Sequence, residues 1–253
     1  LPDVPTAMFV RNPAADYQWL PRLLPETDRL IFDSERFSSA RSLQGVVERS
    51  ESLSKTASAS GTFLPVGLSP VPRFEIADLG WLRLWPWRIL VASLFDTPAS
   101  AEALAQLSTV HIEFVQGAEA IAYLLAGWLR SRLQLALHKK PTAEPGQFLA
   151  ERLGQPGQLV HIKLVEVARR DTPAGIAKVT IMTGSLEFSA EAHSDETRCV
   201  VVRSPHMPER VQPVHGRSDS ELMVAAMGVG GRDPLMYEAL RLGAELAQNG
   251  NTG

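Results

Sequence analysis

The stretch from Asp78 to Phe95 reads Asp-Leu-Gly-Trp-Leu-Arg-Leu-Trp-Pro-Trp-Arg-Ile-Leu-Val-Ala-Ser-Leu-Phe and contains three of the five tryptophans of this 253-residue chain. Pro86 lies where a helix would begin, because its fixed φ suits the first helical position and the N–H that it lacks would have no partner there. Behind it, apolar residues recur at the i, i+3, i+4, i+7 spacing of one helix face, and they are Trp87, Leu90, Val91 and Leu94. Large aromatic rings interleaved with arginines are typical of packing anchors and of interface hot spots.

The residues before this stretch predict a small parallel sheet. Residues 28–33 are predicted as a strand, because Leu30, Ile31 and Phe32 form the near-continuous apolar run of a strand buried on both faces. A predicted helix follows over residues 36–47, and this alternation indicates a right-handed parallel α/β unit. Residues 48–74 are rich in serine, then in proline and glycine, so we expect a long surface loop or a partly disordered connection there. A lid or a contact segment is the alternative.

The middle of the chain adds a strand and the clearest helix. Residues 109–115 are predicted as a strand. Residues 117–133 are predicted as a helix whose apolar face is formed by Ile121, Leu124, Leu125, Trp128 and Leu129. Residues 141–157 are polar and turn-rich around a short predicted helical piece, so we expect a boundary between two domains near residue 140.

The second half of the chain has the pattern of an antiparallel sheet. Strands are predicted over residues 158–167, 176–182, 185–190 and 198–203, with short glycine-containing turns between alternating segments. Ser218 and Glu221 form a predicted capping box, and Asp233-Pro234 opens a predicted terminal helix. The fold class is therefore predicted to be α/β: an N-terminal parallel-sheet α/β domain with the Trp-rich helix over residues 1–140, then a mainly antiparallel β-meander with C-terminal helices over residues 141–253.

Charge and composition argue against several classes of protein. A net charge of -3 gives no general attraction to nucleic acid or anionic membranes, and no apolar run is long enough to cross a bilayer. We therefore expect neither a nucleic-acid nor a membrane partner. The single cysteine, Cys199, excludes an internal disulfide and any multi-cysteine zinc site. It lies among valines, so we interpret it as a core thiol, and a cytoplasmic location is expected.

Few residues form a pattern with chemical meaning. His111 and Glu113 lie on one face of the predicted strand, where they are either an acid–base pair in a cleft or a hydrogen-bonded pair on a strand that is covered on one side. The other histidines are scattered, so no metal site is predicted. Arginines suit phosphate oxygens, and Arg83, Arg88, Arg130 and Arg132 either converge on an anion such as a sugar phosphate or form ion pairs.

The Trp-rich stretch also carries a family resemblance. The pattern Asp78-Leu-x-Trp81-x-Arg83-x-x-Pro86-Trp87-Arg88 resembles the signature of the bacterial glucose-6-phosphate dehydrogenase assembly protein, the OpcA family. Three further segments are similar to the family's early strand, long central helix and terminal helix, and they cover residues 28–34, 122–133 and 233–240. The resemblance therefore extends over nearly the whole chain.

This resemblance implies a function and a set of contacts. It implies a non-catalytic accessory protein, an activator rather than an enzyme, that binds glucose-6-phosphate dehydrogenase and promotes its assembly or active state in the oxidative pentose phosphate pathway. The dehydrogenase supplies the NADP chemistry, so no cofactor is expected in this chain. The candidate contact residues are Trp81, Arg83, Trp87 and Arg88, although the periodicity of Trp87 favours a core position for it. Some members of the family are linked to thiol redox control, but a lone cysteine allows no dithiol switch within this chain.

Two other interpretations of the sequence stay open. One is an enzyme or sensor that binds a sugar phosphate in the α/β half, with a candidate anion site formed by His111, Glu113, Arg130 and Arg132. It is motivated by the location of ligand sites in parallel sheets, which lie beyond the carboxyl ends of the strands. The other is a purely structural component of a different complex.

Overall fold

The computed structural model of the chain describes residues 6–11, 27–59, 75–138, 144–168, 172–193, 198–228 and 233–250. Within these ranges the protein is an α/β structure with two sheets, which confirms the predicted fold class. The smaller sheet is parallel and has the order β1-β2-β3. Its strands are β1 (Ala7–Phe9), β2 (Arg29–Phe32) and β3 (Glu75–Asp78).

Helix α1 (Ser42–Ala59) follows the small sheet and begins and ends later than expected. Residues 48–59, which we predicted to start a long loop, continue this helix, and residues 60–74 lie outside the described ranges. Leu43 and Val46 are buried and anchor the helix to the core. Composition alone therefore gave the wrong structure for residues 48–59.

The Trp-rich stretch forms two short helices that run on from the small sheet. They are α2 (Leu79–Arg83) and α3 (Trp85–Ser93), and α4 (Pro98–Ala103) comes next. Pro86 lies in the first turn of α3, as predicted. Trp87, Val91 and Leu94 are buried and Leu90 packs against the core, which confirms the predicted apolar face.

The larger sheet has eight strands in the order β11-β10-β9-β8-β4-β7-β6-β5. Strand β4 lies inside it, parallel to β7 and antiparallel to β8. The strands are β4 (Leu107–Val115), β5 (Leu135–Leu137), β6 (Gln147–Arg152), β7 (Leu159–Val167), β8 (Ile176–Thr183), β9 (Leu186–Ala192), β10 (Cys199–Ser204) and β11 (Met207–Pro213). The predicted meander is thus confirmed in β8 to β10, but β6 forms where we predicted a short helical piece.

The domain boundary near residue 140 stays a prediction. The larger sheet runs from Leu107 to Pro213 and so includes strands from both sides of residue 140. One apolar core cluster also joins Leu30 of the small sheet, Leu124 of the central helix and Val179 of the meander.

Helices cover one face of the larger sheet. The central helix α5 (Glu119–Leu133) lies directly on the sheet, and the terminal helix α7 (Pro234–Asn249) packs on α5 and α1. The shorter α6 (Asp219–Gly228) packs on α2. Helices α5 and α7 approach very closely, because a Cβ on Gly127 would overlap the Ala239 carbonyl oxygen and the Gly243 nitrogen. The glycine at position 127 is therefore required by the distance between the two backbones.

The other face of the larger sheet, hereafter the open face, bears the residues that alternate with the core side chains. On β4, Val110 and Ile112 are buried in the core, whereas His111 and Glu113 point to the open face. Their register partners on neighbouring strands share this face, and they include Lys163, Val165, Lys178 and Thr180. None of the helices in the described ranges has the length and apolar character needed to cross a bilayer.

Candidate functional site

Asp78, at the end of β3, fixes the start of the signature stretch. Its carboxylate accepts hydrogen bonds from the Ser34 backbone N–H at 2.9 Å, the Ser34 hydroxyl at 2.7 Å and the Gly80 N–H at 2.9 Å. The last of these caps helix α2. Complete burial raises the pKa of Asp78 to about 6, although the hydrogen bonds from Ser34 and Gly80 favour the ionised form. Asp78 therefore joins the ends of β2 and β3 to the first signature helix.

Trp81 joins this segment to the far end of the chain. Its side chain is only 2% exposed, and its indole N–H donates to the Asp233 carboxylate at 2.8 Å. The other oxygen of Asp233 accepts from the backbone N–H groups of Leu235 and Met236, which confirms the predicted N-cap of α7. One carboxylate thus ties the Trp-rich segment to the terminal helix.

Arg88 stacks on the same tryptophan. Its guanidinium carbon lies 3.4 Å from the centroid of the Trp81 ring and 5.4 Å from that of Trp85. An Nη group also donates to the Trp81 carbonyl oxygen at 3.2 Å. Burial lowers the pKa of Arg88 to about 10, and the charge of Asp233 offsets part of that effect. The arginine is a buried cation held between two indole rings.

Arg83 lies at the centre of an ion-pair network at the carboxyl end of the small sheet. One terminal nitrogen contacts Asp33 at 2.6 Å and Glu35 at 3.0 Å, and the other contacts Asp219 at 2.7 Å. Arg36 pairs with Asp33 and Asp219 as well, each at 3.0 Å. These carboxylates raise the pKa of Arg83 despite the opposing effect of burial, so the network connects the end of β2, helix α2 and helix α6.

The fourth candidate contact residue, Trp87, is fully buried, and its indole N–H donates to the Pro173 carbonyl oxygen at 2.8 Å. Each of the four candidates therefore has contacts within the chain, and a direct contact with a partner stays a prediction for them. The exposed apolar side chains of this stretch are Trp85, at 54%, and Ile89, at 49%. They lie one turn apart on α3. Neither belongs to the i, i+3, i+4, i+7 set that forms the buried face of this helix, and that spacing is the sequence signal that could have identified them as exposed.

The structure does not bring the four residues of the candidate anion site together. His111 and Glu113 lie on the open face, with Nδ1 4.0 Å from the carboxylate, and burial together with the charges of Lys163 and Lys178 holds the pKa of His111 below its usual value. Arg130 is buried in helix α5 on the other side of the sheet. There it donates to the Leu242 carbonyl oxygen at 2.8 Å.

Arg130 and Arg132 both bind the terminal helix. Arg130 also contacts Glu245 at 3.1 Å, and Arg132 contacts Glu238 at 3.3 Å. Burial lowers the pKa of Arg130, and its Nε has no hydrogen-bond partner among the described residues. The two arginines therefore connect α5 to α7.

A cavity of about 250 Å³ opens at the carboxyl end of the small sheet. Its walls combine apolar side chains with positively and negatively charged ones, and they include Phe9, Arg11, Asp33, Arg36, Asp219 and Met223. Arg36 is already neutralised by two carboxylates, so the cavity is not a simple anion site. In the part of the chain that the structure describes, no group of three or more histidine, cysteine, aspartate or glutamate side chains could hold a metal ion.

Comparison with known proteins identifies relatives of this chain. Residues 74–240 match the sequence profile of a family described as the C-terminal domain of the glucose-6-phosphate dehydrogenase subunit. A Synechocystis sp. protein provisionally named OxPP cycle protein OpcA is 24% identical over the whole chain and 52% of its own length. A Nostoc punctiforme protein of the same name is 42% identical over 59 residues, which are 23% of this chain and 13% of that protein. At most, the chain spans about half the length of these curated relatives.

Solved structures share the fold at low sequence identity. A provisionally described NADPH-dependent oxidoreductase from Desulfitobacterium hafniense is 12% identical with a TM-score of 0.50, over 98% of this chain and 76% of that one. At this identity the similarity extends to the fold and carries no information about chemistry.

Proposed function

This chain belongs to the family of the C-terminal domain of the glucose-6-phosphate dehydrogenase subunit, and from that membership we propose that it is a non-catalytic accessory protein of glucose-6-phosphate dehydrogenase. It binds the dehydrogenase and promotes its assembly or active state in the oxidative pentose phosphate pathway. The observation that carries this proposal is the family match over residues 74–240, which includes the entire Trp-rich stretch. The single cysteine suits a reducing compartment, so we propose the cytoplasm as its location.

The contacts of the signature residues support a binding role. The charged and aromatic residues of this stretch pack against distant parts of the chain, since Trp81 bonds Asp233 and Trp87 bonds Pro173. These contacts anchor α2 and α3 to the rest of the chain, and they leave Trp85 and Ile89 exposed to solvent. A fixed tryptophan beside an arginine and an aliphatic residue is a typical hot-spot composition. We therefore place the contact with the dehydrogenase on the exposed side of α3, supported from below by Trp81 and Arg88.

Binding alone is sufficient to activate an enzyme. An accessory protein that binds the active conformer or oligomer more tightly than the inactive one shifts the equilibrium toward the active form. The largest possible shift equals the difference between its binding free energies for the two states. No catalytic group is required in the accessory chain.

The first test mixes the purified chain with the dehydrogenase from the same source. NADPH formation is followed at limiting glucose 6-phosphate, and complex formation is followed by size-exclusion chromatography with light scattering. We expect a co-eluting complex and a higher rate. A folded chain that neither binds the dehydrogenase nor changes the rate would overturn the proposal.

Variants of α3 test the position of the contact. Trp85→Ala and Ile89→Ala should each weaken the complex by roughly tenfold or more while the chain stays folded, because exposed hot-spot side chains act on binding rather than on folding. Val224→Ala is the matched control, since Val224 is 65% exposed on α6. Unchanged affinity in both α3 variants would place the contact elsewhere.

A further inference from the structure

The open face of the larger sheet has no helical cover among the described elements, although two small side chains on it, Thr180 and Ser189, are buried. Helices α5 and α7 and the end of α3 contribute to the core on the opposite side, where Val110, Ile181 and Phe188 lie. Exposed apolar side chains occur on the open face itself, with Val165 at 42% and Val211 at 51%. An amphipathic sheet with one uncovered face and exposed aliphatic residues is suited to pack on a second sheet.

The size of the open face matches a stable interface. Eight strands about 4.8 Å apart, with about seven residues each, cover on the order of 800 Å². A standard stable protein–protein interface buries about 800 Å² on each partner. The face is therefore large enough for one partner of comparable size, and far larger than a small ligand requires.

The charge pattern of the open face is complementary to that of the same face on a second copy of the chain. Three register rows cross strands β7, β4, β8 and β9: Val165–Glu113–Lys178–Glu191, Lys163–His111–Thr180–Ser189 and His161–Thr109–Met182–Glu187. Consider a second copy related by a two-fold axis that runs parallel to the strands and passes between β4 and β8. Strand β4 of one copy then lies opposite β8 of the other, and β7 of one copy lies opposite β9 of the other. Glu113 then faces Lys178 of the second copy, and His161 faces Glu187 of the second copy.

Within one chain, the contacts of Glu113 and Lys178 with groups of opposite charge are long. The Glu113 carboxylate lies 4.0 Å from His111 Nδ1, and this is its ion-pair contact among the described residues. Lys178 lies 3.7 Å from Glu187 and 3.9 Å from Glu191, which are long distances for ion pairs. A second copy would supply Glu113 with a lysine and Lys178 with a closer carboxylate.

We propose that two copies of this chain associate through their open faces about a two-fold axis that runs along the strands between β4 and β8. Such an interface is isologous, so each pairing occurs twice. The central pairing of Glu113 with Lys178 sets the register of the two sheets. The proposal does not depend on the dehydrogenase, because it concerns the chain alone.

A charge swap tests this dimer directly. Light scattering after size-exclusion chromatography, with no dehydrogenase present, should show a dimer of the wild-type chain at micromolar concentration. Glu113→Lys and Lys178→Glu should each raise the dimer dissociation constant by about tenfold or more, because like charges then face each other across the axis. The double variant should regain wild-type affinity, since the pairing is restored with reversed polarity.

Two variants of Val165 separate an effect on the interface from an effect on folding, because they place opposite charges at the same position. Val165 lies opposite Glu191 of the second copy, so Val165→Glu should weaken the dimer and Val165→Lys should preserve it. Val224→Glu, at an exposed position of α6, is the control that should leave the dimer unchanged. Thermal unfolding of each variant shows whether the chain remains folded.

The remaining outcomes overturn the proposal in different ways. A wild-type chain that stays monomeric up to high micromolar concentration excludes the dimer. A dimer that tolerates both single charge variants forms through another surface. If the wild-type chain is monomeric and Glu113→Lys instead weakens its complex with the dehydrogenase, the open face belongs to that partner rather than to a second copy.

Discussion

At the scale of the single residue, Trp81 connects the Trp-rich segment to the start of the terminal helix. We expect Trp81→Phe to lower the free energy of unfolding by about 2 kcal/mol, because it removes the donor to a charged carboxylate and part of the surface on which Arg88 stacks. Chemical denaturation monitored by circular dichroism measures the change. Asp233 would retain its bonds to Leu235 and Met236, so the terminal helix should still form.

Trp85→Phe is the matched control for that substitution. Trp85 is 54% exposed, and Arg88 lies farther from its ring than from that of Trp81. Its change in unfolding free energy should stay within about 0.5 kcal/mol, as for surface positions generally. Equal effects of the two substitutions would contradict the assigned role of Trp81.

Asp78 should make stability depend on pH. Its pKa is raised from 3.8 to about 6 in the folded chain, chiefly by burial, so the folded state binds a proton more tightly than the unfolded state. The stabilisation from this group is complete below pH 3.8 and is lost as pH rises through about 6. It amounts to about 3 kcal/mol.

The comparison with Asp78→Asn isolates this contribution. Asparagine still accepts at the N-cap but does not ionise. Between about pH 4 and about pH 7, the unfolding free energy of the wild-type chain should fall relative to that of the variant. Denaturation curves at both pH values give the difference, and parallel behaviour of the two proteins would show that Asp78 ionises normally.

Residue-scale prediction from the sequence succeeded where local spacing carries the information. The helical period placed Trp87, Val91 and Leu94 in the core correctly. It left Trp81 outside the apolar face, yet Trp81 is buried. Its partner Asp233 lies 152 residues away in the sequence, and no local pattern indicates a contact over that distance.

At the scale of the element, the crossing of α5 and α7 depends on Gly127. Gly127→Ala should lower the free energy of unfolding by about 1–3 kcal/mol, because the added methyl group forces apart two backbones that are in direct contact. Thermal or chemical denaturation measures the loss. Helix propensity acts in the opposite direction, since alanine is favoured over glycine within a helix by about 1 kcal/mol.

Arg132→Ala on the same helix provides the comparison. Arg132 is exposed and pairs with Glu238 of α7 at 3.3 Å, so its removal should change stability by less than about 1 kcal/mol. A stabilising effect of Gly127→Ala would mean that the helices can separate without cost and that the close approach is not required.

Strands in which apolar and polar residues alternate strongly could be predicted from the sequence. A strand that forms because neighbouring strands pair with it could not. Strands β7 to β10 were predicted from alternation and turns, and they are confirmed. Strand β6 has the sequence Gln-Phe-Leu-Ala-Glu-Arg, which consists mostly of good helix formers. It is a strand because β5 and β7 pair with it on both sides and because Phe148 and Ala150 alternate into the core.

At the scale of the whole molecule, one core connects the two sheets. We expect a single unfolding transition in which tryptophan fluorescence and far-ultraviolet circular dichroism coincide. Fluorescence reports on the five tryptophans, all of which precede residue 140, whereas circular dichroism reports on both halves of the chain. Two separate transitions would instead support independent folding of residues 1–140 and 141–253.

The position of β4 shows what could not be predicted at this scale. Its alternation identified a strand, but its two neighbours are β7, in parallel orientation, and β8, in antiparallel orientation. Those strands begin at Leu159 and Ile176, beyond the predicted boundary. The alternation along β4 places His111 and Glu113 on the open face of this sheet.

The late arrival of those neighbours also affects how the protein is made. A ribosome completes β4 and α5 well before it reaches the end of β8 at Thr183, so the middle strand of the large sheet emerges with both edges unpaired. At about 5–20 residues per second this interval lasts several seconds. During that time the nascent chain exposes strand edges that neighbouring nascent chains can pair with, so the yield of native protein should depend on chaperones that bind it before Thr183 has left the ribosomal tunnel.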